Sequence, residues 1–207
     1  MSRENKNEAI ARLHRQRIIQ AAGELFAAKG FEKTTIDDIS DRSGYSRRTL
    51  YAYFGGKEDM LCHIAGDELE RLYDELGAAV TARAGFNSRC MEVCRAMRRY
   101  RERCPEAARL SEPKPELSPA RERTAELGEK INSLLAGFIG EGLRSGAVRR
   151  TVVPELSVHI LLAGVNSVSE LYAERGEFIC EQLGITKEKF FDYGFRQQLN
   201  SILTEWM

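Results

Sequence analysis

The chain has 207 residues, 43% hydrophobic and 30% charged, a balance that suits an ordinary soluble globular protein with one large core or a small and a medium one. Its 31 basic residues match its 31 acidic ones, which argues against binding a polyanion with the whole surface and confines any nucleic-acid site to a local patch. The apolar run around HILLAGV is far shorter than the roughly 20 residues of a bilayer span, and the polar start MSRENKNEAIARLHR has no export-type apolar stretch, so the expectation is a cytoplasmic protein that does not engage a membrane.

From Glu8 to Lys29, Ile18, Ala22, Leu25 and Phe26 recur at three- and four-residue steps, and Gly30 follows as the stop of a first helix. Next, TTIDDISDRSG offers Thr35 as an N-cap, with Asp37 and Asp38 in the first turn where carboxylates complement the helix dipole. Gly44 closes this short second helix. Ser46 caps a third that runs to about Phe54, with Leu50 and Phe54 one turn apart on its inner side, and Gly55 and Gly56 end it.

Two short helices joined through a glycine after a longer one make a helix-turn-helix. Its second member lies in GYSRRTLYAYFGGK, residues 44–57, which interleaves two arginines, three tyrosines, a phenylalanine and a lysine without a single carboxylate. With Leu50 and Phe54 turned inward, Arg47, Arg48, Thr49 and Tyr53 lie on or beside the outward surface. An arginine there can pair with guanine O6 and N7, a threonine can touch a thymine methyl, and tyrosine hydroxyls and Lys57 can reach phosphates. A carboxylate would repel the DNA backbone, and its absence is the electrostatic footprint expected of a neutral protein with a local DNA site.

The segment TTIDDISDRSGYSRRTLYAYFGGKEDML resembles the DNA-binding segment of TetR-family transcriptional regulators almost position by position. Thr34, Thr35, Ile39, Gly44, Ser46, Arg47, Thr49, Leu50, Tyr51, Tyr53, Phe54, Lys57 and Glu58 meet the pattern, and with the first helix the resemblance covers about residues 12–61. Tyr45 departs from the usual small aliphatic residue, and Gly56 from the usual Ser or Asn cap of the following helix. Arg48 stands where Gly or Ala is common, which makes it the first choice for a base contact particular to this protein, with Arg47 second. The candidate DNA-contact set is Thr35, Tyr45, Ser46, Arg47, Arg48, Thr49, Tyr51, Tyr53 and Lys57, within a DNA-binding domain over residues 1–56.

Residues 57–207 read as six further helices forming an effector-binding and dimerisation domain. Leu61, Ile64, Leu69, Leu72, Leu76 and Val80 stripe the next helix, which ends near Gly85 and links the reading head to the body. Cys90, Val93, Cys94, Met97, Tyr100 and Cys104 then share one face before Pro105. The alternating Arg98, Arg99, Arg101 and Arg103 read as a solvated face, with contact to an acidic effector as the alternative. EPKPELSP reads as a loop, and Ser118 and Pro119 start a helix that turns Leu127, Ile131, Leu134, Leu135 and Phe138 inward. Gly137, Gly140 and Gly142 each cost that helix about 1 kcal/mol against Ala, which predicts a close-packed neighbour or a bend beside a cavity.

Two last helices, about Pro154–Glu174 and Lys187–Trp206, carry apolar residues on more than one side. In the resembled family the corresponding pair forms a four-helix dimer interface, which implies a homodimer that here would use Ile160, Gly164, Val165, Val168, Phe195, Leu199 and Ile202. A single short recognition helix reads few bases, so a dimer on a palindromic double-stranded operator fits the same reading. Cys94, Met97, Tyr100, Phe138 and Asn166 are the candidate effector pocket, mostly apolar, for a hydrophobic small molecule whose entry releases DNA. The five cysteines, odd in number and without paired metal spacing, suit reduced thiols in a core. His14, His63 and His159 are scattered, with no phosphate loop or nucleophile elbow, so no metal, cofactor or catalytic residue is assigned. The expectation is an all-α repressor and not an enzyme; the alternative is a small-molecule-binding or interaction protein of the same fold that reads no specific operator.

Overall fold

The computed structural model describes residues 3–106 and 118–204, with side chains from residue 7 onward. Its elements are α1 (Arg3–Lys29), α2 (Ile36–Ser43), α3 (Arg47–Tyr53), α4 (Lys57–Thr81), α5 (Phe86–Arg103), α6 (Pro119–Ser145), α7 (Pro154–Leu183) and α8 (Lys187–Asn200). Five helices, not six, follow α3 among the described residues, and no strand does; one isolated bridge pairs Val148 with Leu203. Most of the proline-rich segment, residues 112–117, and the chain end at Trp206 lie outside the described residues.

Two compact units partition the chain: residues 1–68 with 104–125, and residues 69–103 with 126–207. The first is built on Ile18, Ala22, Phe26, Ile39, Leu50 and Phe54, all buried. These are the apolar positions of α1, α2 and α3, and their burial holds the short α3, which seven residues of propensity alone would not. The left-handed Gly44, at φ 75° and ψ 15°, ends α2 with its N–H on the Ser40 carbonyl, a conformation that a Cβ would disfavour.

The second unit has its own core, drawn from α4, α5, α6, α7 and α8, with Leu76, Val93, Met97, Phe138, Val165, Phe195 and Leu199 among its buried members. The arginine run of α5 is not merely solvated. Arg95 makes a bidentate pair with Asp192 on α8, Arg99 bridges Glu75 and Glu92, and Arg101 reaches Glu170 on α7. Arg98 lies 4.6 Å from the centroid of the Phe191 ring. These pairs tie α5 to its neighbours around the rim of an apolar core.

Helix α7 runs past Glu174 to Leu183, because the left-handed C-cap is Gly184 at φ 61°, while Gly176 stays helical and buried. An 18-residue window of α7 has mean hydropathy 1.2 and is only 22% buried, so by length and composition the helix is long enough for a membrane, beyond what its unbroken apolar run suggested. Helix α8 is shorter than expected, since the chain after Ser201 leaves the helix to pair with the 147–149 segment through Arg149 N to Ile202 O at 2.9 Å and Thr204 N to Ala147 O at 3.1 Å.

Candidate nucleic-acid interface and effector cavity

Thr35 N-caps α2 in a reciprocal capping box: its Oγ1 accepts from Asp38 N, and its own N–H donates to Asp38 Oδ2 at 2.7 Å. Lys29, then Thr35, hold the Asp38 carboxyl well below the usual carboxylate range. Ser46 caps α3 by accepting from Thr49 N at 3.2 Å, and its hydroxyl lies 2.9 Å from the Thr49 hydroxyl. Two side chains of the candidate set are thus already used to build the motif.

The rest of the set divides by direction. Arg47, Arg48 and Tyr51 are exposed, and Arg48 has neither ion pair nor hydrogen bond among the described residues. Arg47 is paired with Asp37 on α2, a contact that spacing alone did not suggest. Tyr45 and Tyr53 are half-buried against the head core, and both pack on His14 of α1, at ring-centroid distances of 5.0 and 6.0 Å. The Tyr53 hydroxyl lies 3.2 Å from His14 Nδ1. The aromatic Tyr45, unusual for the motif, therefore finds its partner in a histidine that periodicity had left without a role.

Lys57 requires a correction. Its ammonium donates to the carbonyls of Phe31 at 3.0 Å and Thr34 at 3.2 Å, approaches that of Glu32 at 3.5 Å, and sits 4.3 Å from the Phe31 ring centroid. A side chain that satisfies the carbonyls of the α1–α2 turn is committed inward and not offered to a phosphate.

In the second unit, Phe86, Cys90, Cys94, Met97, Phe138 and Leu199 are among the side chains around an apolar cavity of about 30 Å³. That is room for about one water, far below the several hundred Å³ of a drug-sized site. Tyr100 packs against the core without lining the cavity, and Asn166 is half-buried on α7 and does not line it either, so the polar anchors expected there are absent from its wall. Burial pushes the Cys90 and Cys94 thiols up to about 12, which leaves them protonated and inert. No cluster of metal-ligating side chains occurs among the described residues. Gly142 explains part of the glycine-rich end of α6, since a Cβ there would overlap the Phe86 ring and Val148; Gly137 meets nothing within 4 Å.

The expected dimer-interface residues are mostly core. Val165 is 1% exposed, Phe195 and Leu199 are buried, and Ile202 lines the cavity with Leu199. Gly164 is small because a Cβ would lie 2.6 Å from the Gln198 side chain of α8, and Val168 abuts Gly194 of the same helix. Of the set only Ile160, at 54%, is strongly exposed. It belongs to the other face of α7, where Leu156, Leu171 and Phe178 are also exposed. The apolar surplus read from the sequence is real, but α8 covers one side of it and the open side is the opposite one.

The comparisons agree with this geometry. Residues 18–64 match the model of bacterial regulatory proteins of the tetR family. The HTH-type transcriptional repressor KstR2 of Rhodococcus jostii is 26% identical over 152 residues, which span 71% of this chain and 74% of that protein. A TetR/AcrR-family transcriptional regulator of Thermobifida fusca has a crystal structure that matches at TM-score 0.68 and 25% identity, over 90% of this chain and 96% of that one. The fold is also that of FadR of Bacillus subtilis, solved in complex with stearoyl-CoA, at TM-score 0.67 and 16% identity over 93% and 99% of the two chains. Residues 18–64 are thus a tetR-family helix-turn-helix domain, and the chain as a whole has the helical fold of TetR-family transcriptional regulators.

Proposed function

We propose that the protein is a cytoplasmic, homodimeric repressor that reads a palindromic operator through residues 1–56 and is released from it when a small hydrophobic effector enters residues 57–207. The observation that carries the DNA reading is the outer face of α3, where Arg48 is exposed and unpaired and Arg47 is held only by a solvent-exposed carboxylate. In this reading Arg48 contacts base edges, Arg47, Ser46, Thr49, Tyr51 and Thr35 contact the backbone or neighbouring bases, and Tyr45, Tyr53 and Lys57 position the helix. The exposed stripe of Leu156, Ile160, Leu171 and Phe178 on α7 supports a second copy of the chain as the partner that covers it.

The cavity supports the effector reading, as does the acyl-CoA bound by the FadR structure. At about 30 Å³ it must open to admit a ligand, so the effector favours a repacked state. Release follows if the two α3 helices of that state no longer match successive major grooves, about 34–36 Å apart or a multiple of that. Selection of bound duplexes from a random pool tests the DNA reading. A two-fold symmetric consensus is expected; failure to enrich any sequence would favour a binding protein of the same fold that reads no operator.

A further inference from the structure

Arg89 of α5 is a polar side chain against the cavity wall of the second unit, and a simple hydrophobic fill does not explain its surroundings. It is 14% exposed, and its Nη1 donates to the Val80 carbonyl at 2.7 Å. Its Nη2 donates to Glu141 Oε1 of α6, also at 2.7 Å, while its Nε is shut off from water with no hydrogen-bond partner among the described residues. The guanidinium lies 5.4 Å from the centroid of Phe86 and 5.1 Å from that of Phe138, two rings stacked 4.6 Å apart. Both rings line the cavity, as does Cys90, the next residue along the chain. A buried cation with an unmet donor therefore stands against the aromatic wall of a cavity whose lining is otherwise apolar.

The geometry points to an effector with an anionic head received by Arg89, an amphiphilic carboxylate rather than a neutral hydrophobic compound. This rests on the reading of the cavity as the effector site. Glu141 is 48% exposed, and Arg89 holds its carboxyl below the usual range, so it is an ionised and replaceable partner. An incoming carboxylate takes its place on the planar fork: one charge-assisted pair breaks, another forms, and Glu141 turns to water. The exchange conserves the charge count at Arg89, so head recognition adds selectivity while the tail supplies affinity. Each methylene that enters the opened cavity tightens binding about fourfold. Displacing Glu141 also removes the ion pair that joins the start of α5 to α6, which couples binding to the repacking that the small cavity demands.

The test is calorimetric titration of the full-length protein with decanoate and with decan-1-ol, both below micelle-forming concentrations. Decanoate is expected to bind at least tenfold more tightly. Arg89→Gln should erase that preference while decanol binding stays, and Glu141→Gln, which removes the competing carboxylate, should tighten decanoate severalfold and leave decanol unchanged. Equal binding of the two compounds by the wild type overturns the anionic head and leaves the cavity reading standing. Failure of both to bind overturns the cavity reading, and this inference with it. If Arg89→Gln does not fold, Glu141→Gln decides: a variant without a selective gain for decanoate overturns the proposal.

Discussion

Arg47 on α3 and Asp37 on α2 form a bidentate ion pair across the helix-turn-helix, with Nε and Nη2 both on the carboxylate. The pair is solvent-exposed, so it contributes no more than about 1 kcal/mol and is readily exchanged for a phosphate. In the proposed DNA complex, Arg47 therefore arrives partly neutralised while Arg48 does not. Asp37→Asn should tighten binding to operator and scrambled duplexes alike and steepen the dependence of log K on log salt by about one unit. Fluorescence anisotropy over a salt series measures both, and the gain should vanish in an Arg47→Ala background.

Arg48 differs in having no such partner. Arg48→Ala should weaken the best operator by about 1–3 kcal/mol and relax base preference at the positions it faces. Equal losses on cognate and scrambled DNA, measured side by side, would move Arg48 from the bases to the backbone.

Lys57 should behave as a structural residue. Lys57→Met leaves the carbonyls of Phe31 and Thr34 without their donor and should destabilise the head by about 1–3 kcal/mol in urea unfolding. The salt dependence of DNA binding by the folded variant should stay as in the wild type.

The two faces of α7 give opposite expectations. Ile160→Asp places a charge on the exposed stripe and should raise the dimer dissociation constant more than a hundredfold, about 3 kcal/mol, with helicity intact by circular dichroism. Val165→Asp buries an unpaired charge in the protomer core and should cost about 4 kcal/mol or more of folding stability. Sedimentation and thermal melts separate the two; a wild type that sediments as a monomer at micromolar concentration would remove the dimer from the proposal.

The buried thiols set an alkaline limit. Cys90 and Cys94 titrate at about 12 when folded against 9.0 in the ordinary thiol, so the unfolded chain loses these protons first. Their contribution is fully present below about pH 9 and is lost as pH rises toward 12, at up to about 1.4 kcal/mol per pH unit for each thiol. Stability measured by denaturant titration should therefore fall more steeply between pH 9 and 10.5 in the wild type than in Cys90→Ala/Cys94→Ala. Iodoacetamide should leave both thiols unmodified until the protein unfolds.

The head was legible in the sequence because its determinants are local. Thr35, Gly44 and Ser46 fix caps and a turn within a few residues of themselves, and Ile39, Leu50 and Phe54 mark the buried side of two helices too short to bury anything else. The all-α architecture followed from apolar periodicity for the same reason. Tertiary structure decided which of several equivalent faces met which neighbour. Lys57 is as basic as Arg48 in the sequence, yet only the turn at residues 31–34 shows that its ammonium is already engaged. Asp37 and His14 acquire partners 10 and 39 residues away, beyond any helical repeat. On α7, Val165 and Ile160 are equally apolar, and burial divides them because Val165 faces the shared core, where α5 and α8 pack on α7 and Gly164 and Gly194 admit α8 closely, while Ile160 faces away. Periodicity records that a residue avoids water. Which surface relieves it of water is a property of the assembled chain, and that is why the recognition motif and the Cys94, Met97 and Phe138 part of the cavity wall could be read from the sequence while the rest of that wall and the open face of α7 could not.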